Sequence, residues 1–98
     1  MSRVYLAAGY NNGNILPEYT VFLVQKLAKT GDVYYLNNGT IPPAELQKLQ
    51  DYTVYADSIL HNGNDYGSWQ YLIYNLGWKK LLEYDEVVFC NANTYAPL

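Results

Sequence analysis

Val4-Tyr5-Leu6-Ala7-Ala8-Gly9-Tyr10-Asn11-Asn12-Gly13-Asn14-Ile15-Leu16-Pro17-Glu18-Tyr19 decides the fold. Val4–Ala8 is an apolar run of strand length, and Gly9–Asn14 is a loop by composition. Leu16, Tyr19, Leu23 and Leu27 then recur at steps of three and four, which puts them on one helix face. Pro17 suits the first turn of that helix and Gly31 its stop.

The pattern repeats along the chain. Asp32–Leu36 reads as a second strand, closed by Asn37-Asn38-Gly39-Thr40. Pro42 and Pro43 open a second helix whose Leu46 and Leu49 face the core. A third strand spans about Thr53 to Leu60, followed by the loop His61-Asn62-Gly63-Asn64-Asp65. Trp69, Leu72, Ile73 and Leu76 give the third helix the cleanest apolar spacing in the chain; Gly77 ends it, and Trp78–Leu82 is a further short turn. Glu86–Cys90 is nearly continuous in apolar residues, the pattern of a strand covered on both faces.

The order β-α-β-α-β-α-β predicts a three-layer α/β/α Rossmann-like domain over residues 1–98, with a four-stranded, mainly parallel sheet. In the order 3-2-1-4 the winding reverses between the first and fourth strands. Open α/β sheets bind ligands at the carboxyl ends of strands near such a reversal.

The 98 residues suffice for one domain, and half of them are apolar. Twelve tyrosines carry most of the aromatic content and suit half-buried strand faces as well as ligand platforms. The net charge of −3, with six scattered lysines and arginines, gives no basic stripe and argues against nucleic acid. No segment approaches the roughly twenty apolar residues that cross a bilayer, and the start enters a strand directly, unlike a signal peptide. One cysteine, Cys90, forms no internal disulfide, so a reducing, cytoplasmic setting is expected.

The two ends of the expected sheet differ chemically. Nine of the ten asparagines fall in the loops that leave the carboxyl ends of the strands: Gly9–Asn14, Asn37–Ile41, His61–Gly67 and Asn91–Tyr95. The opposite loops contain none. Turn chemistry accounts for asparagine in loops, but not for its restriction to one end. Its amide gives two donors and an acceptor without charge, matching sugar hydroxyls, ribose and base edges. Gly9, Gly13, Gly39, Gly63 and Gly67 would let backbone approach a ligand closely. Asp65-Tyr66-Gly67-Ser68-Trp69 starts the third helix and offers backbone donors to a phosphate. No Walker A motif and no G-x-G-x-x-G is present.

Gly63-Asn64-Asp65-Tyr66-Gly67-Ser68-Trp69, Leu76-Gly77-Trp78, Tyr84-Asp85-Glu86-Val87-Val88-Phe89-Cys90-Asn91 and Tyr95-Ala96-Pro97-Leu98 resemble the rhamnan synthesis protein F family, as does the early loop with Tyr10 and Gly13-Asn14. The likeness spans nearly the whole chain. It implies the nucleotide-sugar domain of a type-A glycosyltransferase in bacterial surface-polysaccharide synthesis (rhamnan or O-antigen type), with dTDP-rhamnose or a similar donor. Asp65, Gly67 and Trp69 would lie by the donor. Asn91 and Asn93 would occupy the position of the family's Asp-x-Asp motif, which holds Mn²⁺ or Mg²⁺ on the diphosphate. Asn91-Ala92-Asn93 carries no carboxylate, the ligand that hard cations prefer. The expected binding residues are thus Gly9, Tyr10, Asn11, Gly63, Asp65, Tyr66, Gly67, Ser68, Asn91 and Asn93.

No rim residue reads as a catalytic base, and the chain stops where such an enzyme would continue into its acceptor-binding half. Catalysis by the chain alone is therefore not expected. A non-catalytic sugar- or nucleotide-binding or assembly module is the alternative. Asp65 serves a sugar or metal, or caps the helix. His61 is a solvated loop residue or a ligand, Cys90 a small core residue, and Trp69 and Trp78 packing residues. A fourth strand that ends the sheet leaves an apolar edge for a second copy, as a homodimer, or for the missing polypeptide to cover.

Overall fold

The apolar runs and helical spacings form the expected elements in the expected order. In a computed structural model, which describes residues 2–11 and 13–91, they are β1 (Arg3–Asn11), α1 (Glu18–Ala28), β2 (Asp32–Gly39), α2 (Pro43–Leu46), β3 (Tyr55–Ser58), α3 (Asp65–Leu76), α4 (Trp78–Leu81) and β4 (Glu86–Asn91). A 3-10 turn, Gln47–Leu49, extends α2. The sheet order is β3-β2-β1-β4, and all three strand pairs are parallel. The fold is therefore α/β/α and Rossmann-like, with the reversal of winding between β1 and β4.

Alternation along the strands builds two cores. Tyr5, Ala7, Val33 and Tyr35 face α1, α2 and the 3-10 turn, where Leu23, Val24, Leu46 and Leu49 meet them. Val4, Leu6, Tyr34 and Leu36 face the other way, against Leu72 of α3 and Leu81 of α4. Gly77 separates those two helices at φ 87°, backbone that favours glycine over any side chain.

Three expectations need correction. The buried face of α1 is Thr20, Leu23 and Val24, with Leu27 partly covered, whereas Tyr19 is 52% exposed and Leu16 precedes the helix. Both stripes run at helical spacing, and the one bearing the smaller Thr20 lies against the sheet. The strands also end elsewhere: β1 runs through Asn11 and β2 through Gly39, while β3 is confined to Tyr55–Ser58. Finally, β4 is not covered on both faces. It is an edge strand with Phe89 50% exposed, because a short apolar run does not distinguish an edge from a centre.

The amino end of the sheet is fastened by charge and hydroxyls. Arg3 pairs with Glu86, the Tyr84 hydroxyl donates to Asp32 at 2.6 Å, and the Tyr5 and Thr30 hydroxyls lie 2.6 Å apart. Nothing there resembles the asparagine-rich opposite end, which the topology marks for ligands.

Candidate functional site

The carboxyl rim is assembled from the end of β1, the end of β4 and the start of α3. Tyr10, 56% exposed, and Asn11 close β1, where they stand level with Asn38 and Gly39 of β2. Asn91 closes β4 level with Ala8. Asn93 lies outside the described residues.

Several rim asparagines hold the rim itself together. Asn37 is fully buried and donates to the Asn11 carbonyl at 2.9 Å and to Ser58 Oγ at 3.0 Å. Ser58 in turn donates to the Gly39 carbonyl at 2.9 Å and accepts from the Ile41 amide at 3.1 Å. On the other face, Asn38 clamps the loop after β3. Its Nδ2 donates to the Gly63 carbonyl at 2.8 Å, and its Oδ1 accepts from the His61 amide at 3.0 Å. Buried backbone groups need partners, and here side-chain amides supply them where the sheet ladder stops.

The glycines serve close packing more than open access. A Cβ on Gly9 would fall 2.2 Å from the hydroxyl of Tyr35, whose ring fills that space. A Cβ on Gly67 would meet the His61 ring at 2.9 Å, and one on Gly63 would meet the Gly67 Cα at 2.9 Å and His61 Nδ1 at 3.2 Å. His61 is therefore seated against two glycines, and its Nε2 lies 2.9 Å from the Oγ of Ser68. Ser68 is fully buried in the first turn of α3, so its contact with the partly exposed His61 fastens helix to loop. Gly13 has open space around it, with the nearest atom a backbone nitrogen at 3.9 Å.

The donors expected at the start of α3 are largely engaged. Asn64 is the N-cap: its side chain accepts from the Tyr66 amide at 3.0 Å, and its carbonyl accepts from Gly67 at 2.9 Å and Ser68 at 3.4 Å. Capping thus falls to Asn64, one residue before Asp65, which opens the helix.

Beside this turn, Tyr66 is 69% exposed and meets Trp69 edge-on at 5.9 Å. Trp69 Nε1 donates to the Cys90 carbonyl at 3.1 Å, and its ring lies 5.3 Å from Phe89. Tyr66, Trp69, Gln70, Ile73 and Phe89 line an apolar cleft of about 210 Å³. A larger cleft, about 300 Å³, lies between α2 and β3 at the far edge of the sheet, away from the reversal.

Charge is sparse at the rim. Arg3 is at the amino end, Lys26 and Lys29 close α1, Lys79 and Lys80 lie in α4, and Lys48 is held by Glu45 at 2.8 Å. Hydrogen bonds from Lys48 and from the Leu16 amide keep the Glu45 carboxyl below its usual range. Among the described residues no group of three or more His, Cys, Asp or Glu could hold a metal ion. The donor set here does not suit Mg²⁺ or Mn²⁺. Burial pushes the Cys90 thiol up to about 11, so it is protonated at neutral pH and unsuited to nucleophilic work. No described helix is long and apolar enough to cross a membrane.

Compared with protein-family models, curated proteins and solved structures, the chain finds no match in any of the three.

Proposed function

We propose that the chain is the donor-binding part of a rhamnosyltransferase-like glycosyltransferase of bacterial surface-polysaccharide synthesis, and that a nucleotide-sugar such as dTDP-rhamnose lies in the crevice between the carboxyl ends of β1 and β4. The observation that carries this reading is the reversal of winding between those strands, with exposed Tyr10 beside it. Tyr10 and Tyr66 offer ring faces to a base or sugar, and Asn11 and Asn91 offer amides to hydroxyls. Gly9, Gly63, Gly67 and Ser68 contribute by setting the shape of the rim, and Asp65 opens the helix beside it. The role is binding; the acceptor and the catalytic base belong elsewhere. Work at the cytoplasmic face of the membrane, beside a polymer-assembly complex, follows from that role.

A second reading, a non-catalytic sugar- or nucleotide-binding module, is favoured by one observation. Arg3, Lys26, Lys29, Lys79 and Lys80 lie away from the rim, Lys48 beside the start of α1 is held by Glu45, and Asn64 takes up first-turn donors of α3. A diphosphate would therefore gain little, and recognition would rest on uncharged groups.

Calorimetric titration separates the two. With dTDP-rhamnose, saturable heat is expected that weakens about three- to tenfold in Asn91→Ala, the worth of one net hydrogen bond. Equal binding of thymidine or rhamnose alone, with no gain from the diphosphate or from Mn²⁺, would select the second reading. Absence of heat with all of these ligands would remove both.

A further inference from the structure

The two edges of the sheet are built differently. β3 is four residues long and carries Asp57 within it. Short edge strands with a charge resist pairing with another chain. β4 is six residues long and contains Val87-Val88-Phe89-Cys90 without proline, lysine or a glycine kink. Its one charge, Glu86, is taken up by Arg3 of β1. Beside it lies the cleft of Tyr66, Trp69, Gln70, Ile73 and Phe89, none of them charged among the described residues. One edge is guarded, and the other is an apolar strand flanked by aromatic rings.

We infer that β4 pairs with β4 of a second copy of this chain, antiparallel, about a two-fold axis normal to the sheet. Three features favour a second copy as the occupant. First, an antiparallel strand pair is self-complementary, so one edge satisfies both chains and the assembly closes at two. Second, a two-fold normal to the sheet keeps each face on its own side, so Val88 can lie opposite the partner's Val88 and Phe89 opposite the partner's Val87. Glu86 then faces the partner's Cys90, and two chains of net charge −3 meet without opposing carboxylates. Third, a stable interface needs about 800 Å² from each partner, more than a six-residue strand supplies alone. The shelf of Tyr66, Trp69 and Phe89 adds apolar surface on the same side of the strand, of the aromatic kind that anchors interfaces.

The pairing needs no ligand at the rim, although Tyr66 borders both the shelf and the proposed ligand site. It yields an eight-stranded sheet, with the two rims at opposite ends of it because the partner strands run antiparallel.

Sedimentation equilibrium and amide hydrogen exchange test it together on the 98-residue chain. The expected mass rises with concentration to twice 11.2 kDa, and β4 amides become more protected over the same range. Phe89→Lys, at a half-exposed position, weakens the association about tenfold or more while circular dichroism stays native. Because exchange is read on the unaltered chain, the test survives a variant that fails to fold. A monomer at all concentrations overturns the inference. So does a dimer whose β4 exchange is independent of concentration.

Discussion

Gly9→Ala lowers the stability of this domain by about 1–3 kcal/mol, the range for forcing extra atoms into a packed interior. The added methyl would sit 2.2 Å from the Tyr35 hydroxyl, 2.9 Å from Cζ and 3.1 Å from Cε1. A phenol tip can usually swing aside, but Tyr35 is fully buried in β2 among the side chains that α1 and α2 cover. Relief therefore requires β1 and β2 to shift. Burial also raises the Tyr35 phenol well above its ordinary range. The check is a double-mutant cycle in urea. Tyr35→Phe alone removes the hydroxyl's contacts with Asn37, at 3.5 Å, and with the Asn11 side chain, and costs about 1 kcal/mol or less. In the Gly9→Ala background it removes the nearest clashing atom, so it restores part of the loss. Additive behaviour of the two substitutions would show that the methyl is accommodated elsewhere.

Asn38→Ala has the second large effect, about 1–2 kcal/mol, and the loss is local in origin. The substitution strands the His61 amide and the Gly63 carbonyl, which Asn38 holds at 3.0 and 2.8 Å. Unpaired buried groups cost about 1–3 kcal/mol each, but Gly63 is exposed and water replaces part of what is lost. Hydrogen exchange should quicken through residues 61–68, including the first turn of α3, before it quickens in β1 or β2. Asn38→Asp costs more than Asn38→Ala. It keeps the acceptor, loses the donor to Gly63, and places a carboxylate where the side chain is 4% exposed. Equal stabilities for these two variants would mean that Asn38 does not clamp the loop.

The alternation of strand and helix patterns made the sheet order legible, because right-handed crossovers leave few ways to arrange four parallel strands. The strand ends were less legible. Asn37 and Asn38 look like a turn in sequence, yet they continue β2 because their amides find partners across the sheet at Ser58, His61 and Gly63. Those partners lie 21 to 25 residues away, a separation that no local pattern encodes. In α1, two stripes share Leu23 and Leu27, and only packing against the sheet selects Thr20 over Tyr19.

The rim shows the same division. Asparagine was visibly confined to one end of the sheet, but its first task there is to hold loops and cap α3. The signal that sequence reasoning passed over is the triplet His61, Gly63 and Gly67: two glycines flank a ring that needs a seat. Asn38, Ser58 and His61 belong with the rim as residues that position it, although none was counted among the binding residues.

We propose that this protein meets its ligand at the carboxyl rim, beside the β1/β4 reversal. Amide chemical-shift mapping during titration with dTDP-rhamnose tests it most directly. Shifts should gather at Tyr10, Asn11, Asn64, Tyr66 and Asn91, with the amino end of the sheet unmoved. Saturable shifts confined to the cleft between α2 and β3, around Pro43, Gln47 and Tyr55, would contradict it.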